Sequence, residues 1–453
     1  MRPRRLRQVA TTVDGSLEGD DVEVRSVSTD SRDAPAGSLF VALVGERADG
    51  HRYLADAFAG GAAAAIVSEA VEANGPLVRV ASTSEALLRL AADERRTMDP
   101  TVVGVTGANG KTSTKDLAGA VASTRARTHV SPASFNNEVG LPLTILGAPE
   151  DTEVLVVEMG ARRAGDVKLL AGIARPDVVV VTNVGVAHME IFGSWASIVD
   201  ASAEPVDALD ADGVAILNAD DAVAASFVGR APGKVVTFGT RSEADVRAEG
   251  VSLGDDGRAS FRLAADGGAA HVTLAVPGEH MVSNALAAAA VGRELGVPLD
   301  AAASALGRGG VSRWRMETFT TPSGVRVVND AYNANPESTA AALRTARWIA
   351  RDARLIAVLG EMAELGPISV EQHERVGELA ARIRVDRLVA VGDAARVIAR
   401  AAIREGMDPD EVVTVDGTDE AIEDVTAAAR PGDVVLFKGS RVAGLERVAE
   451  AIA

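Results

Sequence analysis

Two series of short segments, apolar almost throughout and rich in β-branched residues, constrain this chain more than any other feature. The first reads "TVVGVT" (101–106), "VLVVEM" (154–159), "DVVVVTN" (177–183), "GVAILN" (213–218) and "KVVTFG" (234–239). The second reads "VRVVND" (325–330), "LIAVLG" (355–360), "RLVAVG" (387–392), "EVVTV" (411–415) and "DVVLFKG" (433–439). A strand with one face in water alternates apolar and polar residues. An unbroken apolar strand is buried on both faces, which is the situation in a parallel sheet covered by helices. Each series is therefore expected to form its own parallel sheet. The Gly- and Ser-rich stretch from Gly307 to Ser312 separates them as a linker.

Ahead of both series, residues 1–98 hold shorter mixed elements. "SLFVALVG" (38–45) reads as a strand, and "HRYLADAFAGGAAAAIV" (51–67) as a helix, a Gly turn and a strand. "TSEALLRLAADERRTM" (83–98) reads as a helix that stops before Pro100. "FRLAADGGAAHVTLAV" reads as an antiparallel hairpin. "NALAAAAVGRELG" reads as an Ala-rich helix closed by Gly296. The expected fold class is α/β in three domains: mixed α/β over 1–98, a parallel-sheet phosphate-loop domain over 99–310, and a Rossmann-like domain over 311–453.

Bulk properties exclude several classes of function. The net charge of −18 argues against nucleic acid or an anionic membrane as main partner. Aromatics at 3% leave little surface for stacking bases. There is no Cys, so thiol nucleophiles and Cys-held metals are out. Arginines at 2, 4, 5 and 7 are followed by no apolar signal segment, and the run from Ala57 to Val67 is too short to cross a bilayer. The expected setting is cytoplasmic, without membrane insertion, and the expected state a monomer.

"VVGVTGANGKTSTKD" (102–116) carries the clearest chemistry. The usual phosphate-loop spacing, Gly-x-x-x-x-Gly-Lys-Ser/Thr, needs a glycine where this chain has Val105. The physical requirements are nonetheless met by Thr106, Gly107, Ala108, Asn109, Gly110, Lys111, Thr112 and Ser113. A buried strand leads in and a helix leads out. Glycines let backbone N–H groups converge on an anion, the helix N-terminus adds partial positive charge, Lys111 adds a full charge, and the Thr112 hydroxyl can bind Mg²⁺.

Other polar residues follow other buried strands, where parallel sheets gather their C-terminal ends at one crevice. Glu158 is placed for Mg²⁺, although a solvated strand-end Glu would look the same. His188 follows "VVVVTN" and could face a metal or a phosphate. Asn137, in "SFNNEVGLPLT", could bond a base or a peptide or satisfy a turn. Asp330 with its Asn neighbours, and Lys438 with Arg441, follow strands of the second series.

Taken together, these residues resemble the Mur ligases, and within them the MurF type. The resemblance runs from "SVSTDSRDAPAGSLFVALVGERADGHRYL" to "KGSR". It is carried by "FNNEVGLPLT", "VVEMGA", "TNVGVAHMEIFGS", "GEHMVSNALAAAAV", and most specifically "DAYNANP" and "GEMAELG". The family's own loop is Thr-Gly-x-x-Gly-Lys-Thr/Ser, which the chain matches. The resemblance implies that the first domain holds the UDP end of a precursor, the central one binds ATP with Mg²⁺, and the third closes over the ATP. It implies an ATP-dependent ligase that adds D-Ala-D-Ala to UDP-MurNAc-tripeptide through an acyl phosphate. Lys111, Glu158 and His188 would be catalytic, with Thr112, Glu158 and His188 on metal. Asn137 and Asn284 would contact adenine, Asp330 the ribose and Arg315 a phosphate. Ser28, Asp30, Ser31, Arg32, Asn333, Asn335, Lys438 and Arg441 would bind the other substrates.

One position departs from the pattern. Where the family usually has a lysine that becomes carbamylated and supports a second metal, ungapped matching of "FGSWASIVDASAEPVDAL" places Ser202. Asp200 and Glu204 are the nearby candidates to replace it. Two other readings share these residues: another Mur-like amide ligase, and a nucleotide-binding homologue impaired in catalysis.

Overall fold

The computed structural model of the chain describes every residue from Met1 to Ala453 apart from Glu46, Arg47, Ala187, His188 and Ser242. Its helices and strands build three sheets in sequence order, with a small two-stranded ribbon near the N-terminus. The first sheet runs Ser16–Glu18, Leu77–Arg79, Ala64–Val67, Ser38–Val41, Ser26–Ser28, parallel except for the first pair. The strand expected over 38–45 stops at Val41. Beyond it the chain turns back, closed by Gly50 N–H on the Leu43 carbonyl at 2.8 Å. A Cβ on Gly50 would lie 2.8 Å from Leu43 N, so the turn requires glycine there.

The central sheet has nine strands. From one edge the order is Thr128–Val130, Val154–Glu158, Thr101–Thr106, Val178–Val181, Val214–Asn218, Lys234–Gly239, Val246–Leu253, Arg258–Ala265, Gly268–Pro277. The first seven are parallel and the last two form the antiparallel hairpin read from the sequence. Helices Lys111–Ala122, Met281–Glu294 and Leu299–Arg308 cover one face; Gly140–Gly147, Asp166–Ala174 and Trp195–Asp207 cover the other. Every residue of Val178–Val181 is buried, as a two-sided cover demands.

The third sheet runs Glu317–Thr320, Arg326–Asn329, Val434–Lys438, Leu355–Leu359, Arg387–Val391, Val412–Val415, and only its first pair is antiparallel. It keeps separate cores on its two faces.

The first and central sheets keep cores of their own but share one between them. Leu87 and Leu90 of helix Thr83–Met98 share one apolar cluster with Leu141 and Ile145 of Gly140–Gly147 and with Val102, Leu155 and Val157 of the central sheet. Arg95, on the same helix, donates to the Ala174 carbonyl at 2.8 Å and pairs with Asp177 at 3.5 Å. Packing therefore runs straight across residue 98.

Candidate active site

Strand Thr101–Thr106 delivers the chain into the loop, and helix Lys111–Ala122 carries it away. Two glycines make the loop sterically feasible. Gly107 has φ +133°, and a Cβ there would sit 2.1 Å from Thr182 Oγ1. Gly110, with φ +79°, would press a Cβ to 2.2 Å from Asn284 Oδ1. The neighbouring strand end pins the loop: Asn109 N–H donates to Asn183 Oδ1 at 2.8 Å, and the Thr182 hydroxyl donates to the Asn109 carbonyl at 2.6 Å.

Lys111 lies folded along its own loop, with Nζ donating to the Gly107 carbonyl at 2.6 Å. Enclosure in the cleft pushes its ammonium below the ordinary lysine range, and Glu158 opposes that push. Glu158 is 1% exposed. Its Oε2 accepts from the Thr112 hydroxyl at 2.9 Å and its Oε1 from Asn136 Nδ2 at 2.7 Å. Thr112 Oγ1 also meets Ser134 Oγ at 2.9 Å and Arg315 Nη2 at 3.1 Å. Arg315 stacks over the Tyr332 ring, 4.2 Å from its centre.

These groups line one cleft of about 1010 Å³ between the central and third sheets. The third domain contributes its strand-end loop. Asn335 caps helix Pro336–Ala350 through Ser338 N–H at 2.9 Å and donates to Asn109 Oδ1 at 2.7 Å. Asp330 accepts from Met316 N–H at 3.1 Å and pairs with Lys438 at 2.8 Å. Lys438 is held by the Asn333 carbonyl as well, and burial lowers its ammonium while Asp330 opposes. Asn333 lines the same cleft.

Not every expected residue stands there. Asn137 lines the cleft, but its Oδ1 is engaged in a local turn, accepting from Gly140 N–H at 2.8 Å. Asn284 lines it too, lying against Gly110 and accepting from Thr114 Oγ1 at 3.3 Å. Arg441 is exposed, pairs with Glu446 at 2.5 Å and stacks on Trp314, outside the cleft lining. Ser28, Asp30, Ser31 and Arg32 form a turn in the first domain, also outside it. There Ser28 Oγ bonds the Asp33 carbonyl at 2.7 Å, and the Arg32 guanidinium holds the Asp30 carboxyl down at about 2. His188 lies outside the described residues.

Sequence reasoning missed Ser134, Asn136 and Asn183. The only signal for Asn136 was its place beside Asn137 in the Asn pair; Asn136 reaches Glu158, while Asn137 makes the turn that was one of its two sequence readings.

Three family descriptions match the chain in order: "Mur ligase family, catalytic domain" over 23–95, "Mur ligase middle domain" over 105–292, and "Mur ligase, glutamate ligase domain" over 314–441. The UDP-N-acetylmuramoyl-tripeptide--D-alanyl-D-alanine ligase of Mycobacterium tuberculosis strain H37Rv is 41% identical, over 94% of this chain and 92% of that one. The Bacillus subtilis protein of the same name is 34% identical over 99% and 98%. The crystal structure of MurF from Acinetobacter baumannii superposes with a TM-score of 0.88 at 30% identity, covering 99% and 98%.

The chain belongs to the Mur ligase family, in its MurF branch.

MurF ligase from Thermotoga maritima in complex with ADP is a further neighbour, with a TM-score of 0.81 at 29% identity, over 95% of this chain and 97% of that one. Ser202 stands where the family resemblance leads one to expect a lysine. Ser202 Oγ turns back to the Ile198 carbonyl at 2.7 Å inside helix Trp195–Asp207. Neither suggested substitute for the lysine faces the cleft. Glu204 accepts from Gly165 and Lys168 N–H at 2.7 and 2.9 Å, capping helix Asp166–Ala174. Asp200 is exposed and pairs with Arg230 at 3.3 Å. Local backbone and ion-pair needs use both carboxylates.

Proposed function

We propose that this chain joins the amino group of D-Ala-D-Ala to the terminal carboxylate of UDP-MurNAc-tripeptide, using ATP. The observation that carries the reading is the gathering of Lys111, Thr112 and Glu158 at a phosphate loop, facing Arg315 and the Asn335 loop across one cleft. In this reading a tripeptide carboxylate oxygen attacks the γ-phosphorus, the bond to ADP breaks, and an acyl phosphate forms. The D-Ala-D-Ala amine then attacks the acyl carbon, loses a proton, and phosphate leaves. Such chemistry needs positioning and charge neutralisation rather than a protein nucleophile.

Mg²⁺ suits the donor set. Glu158 is a buried carboxylate whose partners are a hydroxyl and an amide, and among the described residues it has no ion-pair partner. Thr112 and Glu158 would hold the ion, whose charge would offset that of the phosphates. The family resemblance assigns His188 to a second ion. Lys111 neutralises the transferring phosphate. Arg315 faces the same oxygens from the linker side. Asn137 and Asn284 flank the adenine end and Asp330 the ribose; Asn333, Asn335 and Lys438 serve the acceptor side.

The domains work as 1–98, 99–310 and 311–453, with Ser28, Asp30, Ser31 and Arg32 toward the UDP end and Arg441 at the outer rim. No helix among the described residues is long and apolar enough to cross a membrane. ATP and a nucleotide-linked precursor place the reaction in the cytoplasm, and every expected site group comes from one chain, so a monomer suffices.

The test is phosphate release with ATP, Mg²⁺, UDP-MurNAc-tripeptide and D-Ala-D-Ala, omitting each in turn. Release that needs both substrates, with a pentapeptide product by mass, is expected. The Ser202 hydroxyl bonded into its own helix favours a second reading, a nucleotide-binding homologue without ligation. Bound ATP with no release would select it, and recovery in Ser202→Lys would trace the loss to that position.

A further inference from the structure

One turn beyond Lys111, a second lysine is buried where no substrate reaches. Lys115 is 1% exposed and outside the cleft lining. Its Nζ donates to the Ser131 carbonyl at 2.7 Å and the Ala133 carbonyl at 2.8 Å, and pairs with Asp116 Oδ1 at 2.7 Å. An ammonium has three donors, and these partners use all three. Asp116 turns its other oxygen to the linker, where Oδ2 accepts from Ser312 N–H at 2.7 Å and Ser312 Oγ at 2.8 Å.

The two held segments lead to the same atom. Ala133 sits at φ +42°, a conformation a non-glycine residue keeps only when its surroundings hold it. The next residue delivers Ser134 Oγ to Thr112 Oγ1, and two residues later Asn136 reaches Glu158. On the linker, Trp314 and Met316 have φ +60° and +53°, and between them Arg315 reaches Thr112 Oγ1 and Ser134 Oγ. Adjacent residues of one helix thus anchor the two loops that converge on the Thr112 hydroxyl.

We propose that the Lys115–Asp116 pair is a positioning element: Lys115 sets how Thr112 and Glu158 are presented to Mg²⁺, and Asp116 ties that geometry to the linker that carries Arg315. The inference rests on the nucleotide-binding part of the proposed function and extends it to residues that touch no substrate. Groups behind a metal ligand commonly change metal affinity by about 10- to 100-fold when removed.

The experiment is calorimetric titration of the full chain with ADP, with and without Mg²⁺. In the unsubstituted protein Mg²⁺ is expected to tighten ADP binding. In Lys115→Met that gain should fall by about tenfold, while metal-free ADP binding changes by less than about threefold. A merely structural lysine would weaken both equally or neither, and either result overturns the proposal. Lys115→Arg, which keeps the cation, should recover part of the gain. Ser312→Ala removes one bond to Asp116 and should lower kcat with the Mg²⁺ gain intact; an unchanged kcat removes the linker half of the proposal. If Lys115→Met does not fold, Ser134→Ala decides, since it deletes what Lys115 delivers. A full Mg²⁺ gain in that variant overturns the idea. Absence of pentapeptide product from the unsubstituted chain would defeat the ligase reading alone, because the ADP titration needs no ligation.

Discussion

Gly110 is the residue at which the site tolerates least. Its φ of +79° and the 2.2 Å approach of Asn284 Oδ1 to its missing Cβ are separate obstacles to any side chain. Gly110→Ala is expected to cost about 1–3 kcal/mol of stability and to abolish ADP binding, read by thermal melting and titration. Lys111→Ala should behave oppositely. It removes a charge that enclosure in the cleft already disfavours, so the melting temperature should hold while kcat falls by about 100-fold or more. The loop was readable from sequence because its parts are contiguous. Ser134, Asn136 and Lys115 were not, because the partners that fix them lie on other segments, 16 to 22 residues away. Helical spacing puts Thr114, Leu117, Ala118 and Val121 on one face, and all four are buried. But that helix is buried nearly all round, and no periodicity reports a lysine satisfied by the carbonyls of Ser131 and Ala133.

At the scale of elements, strands buried on both faces were the most legible; of the half-exposed ones the hairpin Arg258–Ala265 and Gly268–Pro277 was read and its neighbour was not. Val178–Val181 declares itself with four valines. Val246–Leu253 carries Arg247, Glu249 and Ser252, and becomes a strand only through its partners Lys234–Gly239 and Arg258–Ala265. Helix Ser369–Arg382 shows a different dependence. Its His373 accepts from Met362 N–H at Nε2 (3.0 Å) and donates from Nδ1 to the Ser369 carbonyl (2.7 Å), so the native ring is neutral. Burial lowers its proton affinity below the ordinary value of 6.5. A group whose folded pKa is depressed contributes stability above the unfolded pKa and loses it as pH falls through the folded one. The third domain should therefore melt several degrees lower at about pH 5.5 than at about pH 7.5, and His373→Gln should flatten that slope. An equal slope in both proteins would show that other groups set it.

For the whole molecule, the third domain touches the central one at several places far apart in sequence, among them Glu190 N–H on the Glu364 carbonyl at 3.4 Å and two that bear on the cleft. One is the Asn335–Asn109 contact over the phosphate loop. The other is the tip of the central hairpin, where Trp348 Nε1 donates to the Gly254 carbonyl at 2.9 Å, Arg351 pairs with Asp255, and Gly257 lies against Ile349. Both partners of that ion pair are exposed, and such pairs contribute about 0–1 kcal/mol, so at the hairpin tip the Trp348 contact outweighs it. Trp348→Ala is expected to leave ADP titration close to normal, lower kcat several-fold, and speed proteolysis between Gly309 and Met316. Unchanged cleavage would show that the hairpin tip does not hold the domain. The stretch expected as a linker begins inside helix Leu299–Arg308, which Gly and Ser content did not reveal; this second contact was not readable either, since it joins a loop and a helix face that carry no motif.

The core that runs unbroken across residue 98 makes the first two domains a ruler. With Leu87 and Leu90 packed against Leu141 and Ile145, the gap between the Ser28–Arg32 turn and Lys111 is fixed. A chain spans at most about 3.3–3.6 Å per residue. With the UDP end held at that turn, as proposed, a UDP-linked dipeptide is expected to fall short of the phosphate loop. It should compete with the tripeptide for binding yet release no phosphate from ATP, so that precursor length is read by rigid distance rather than by any side chain.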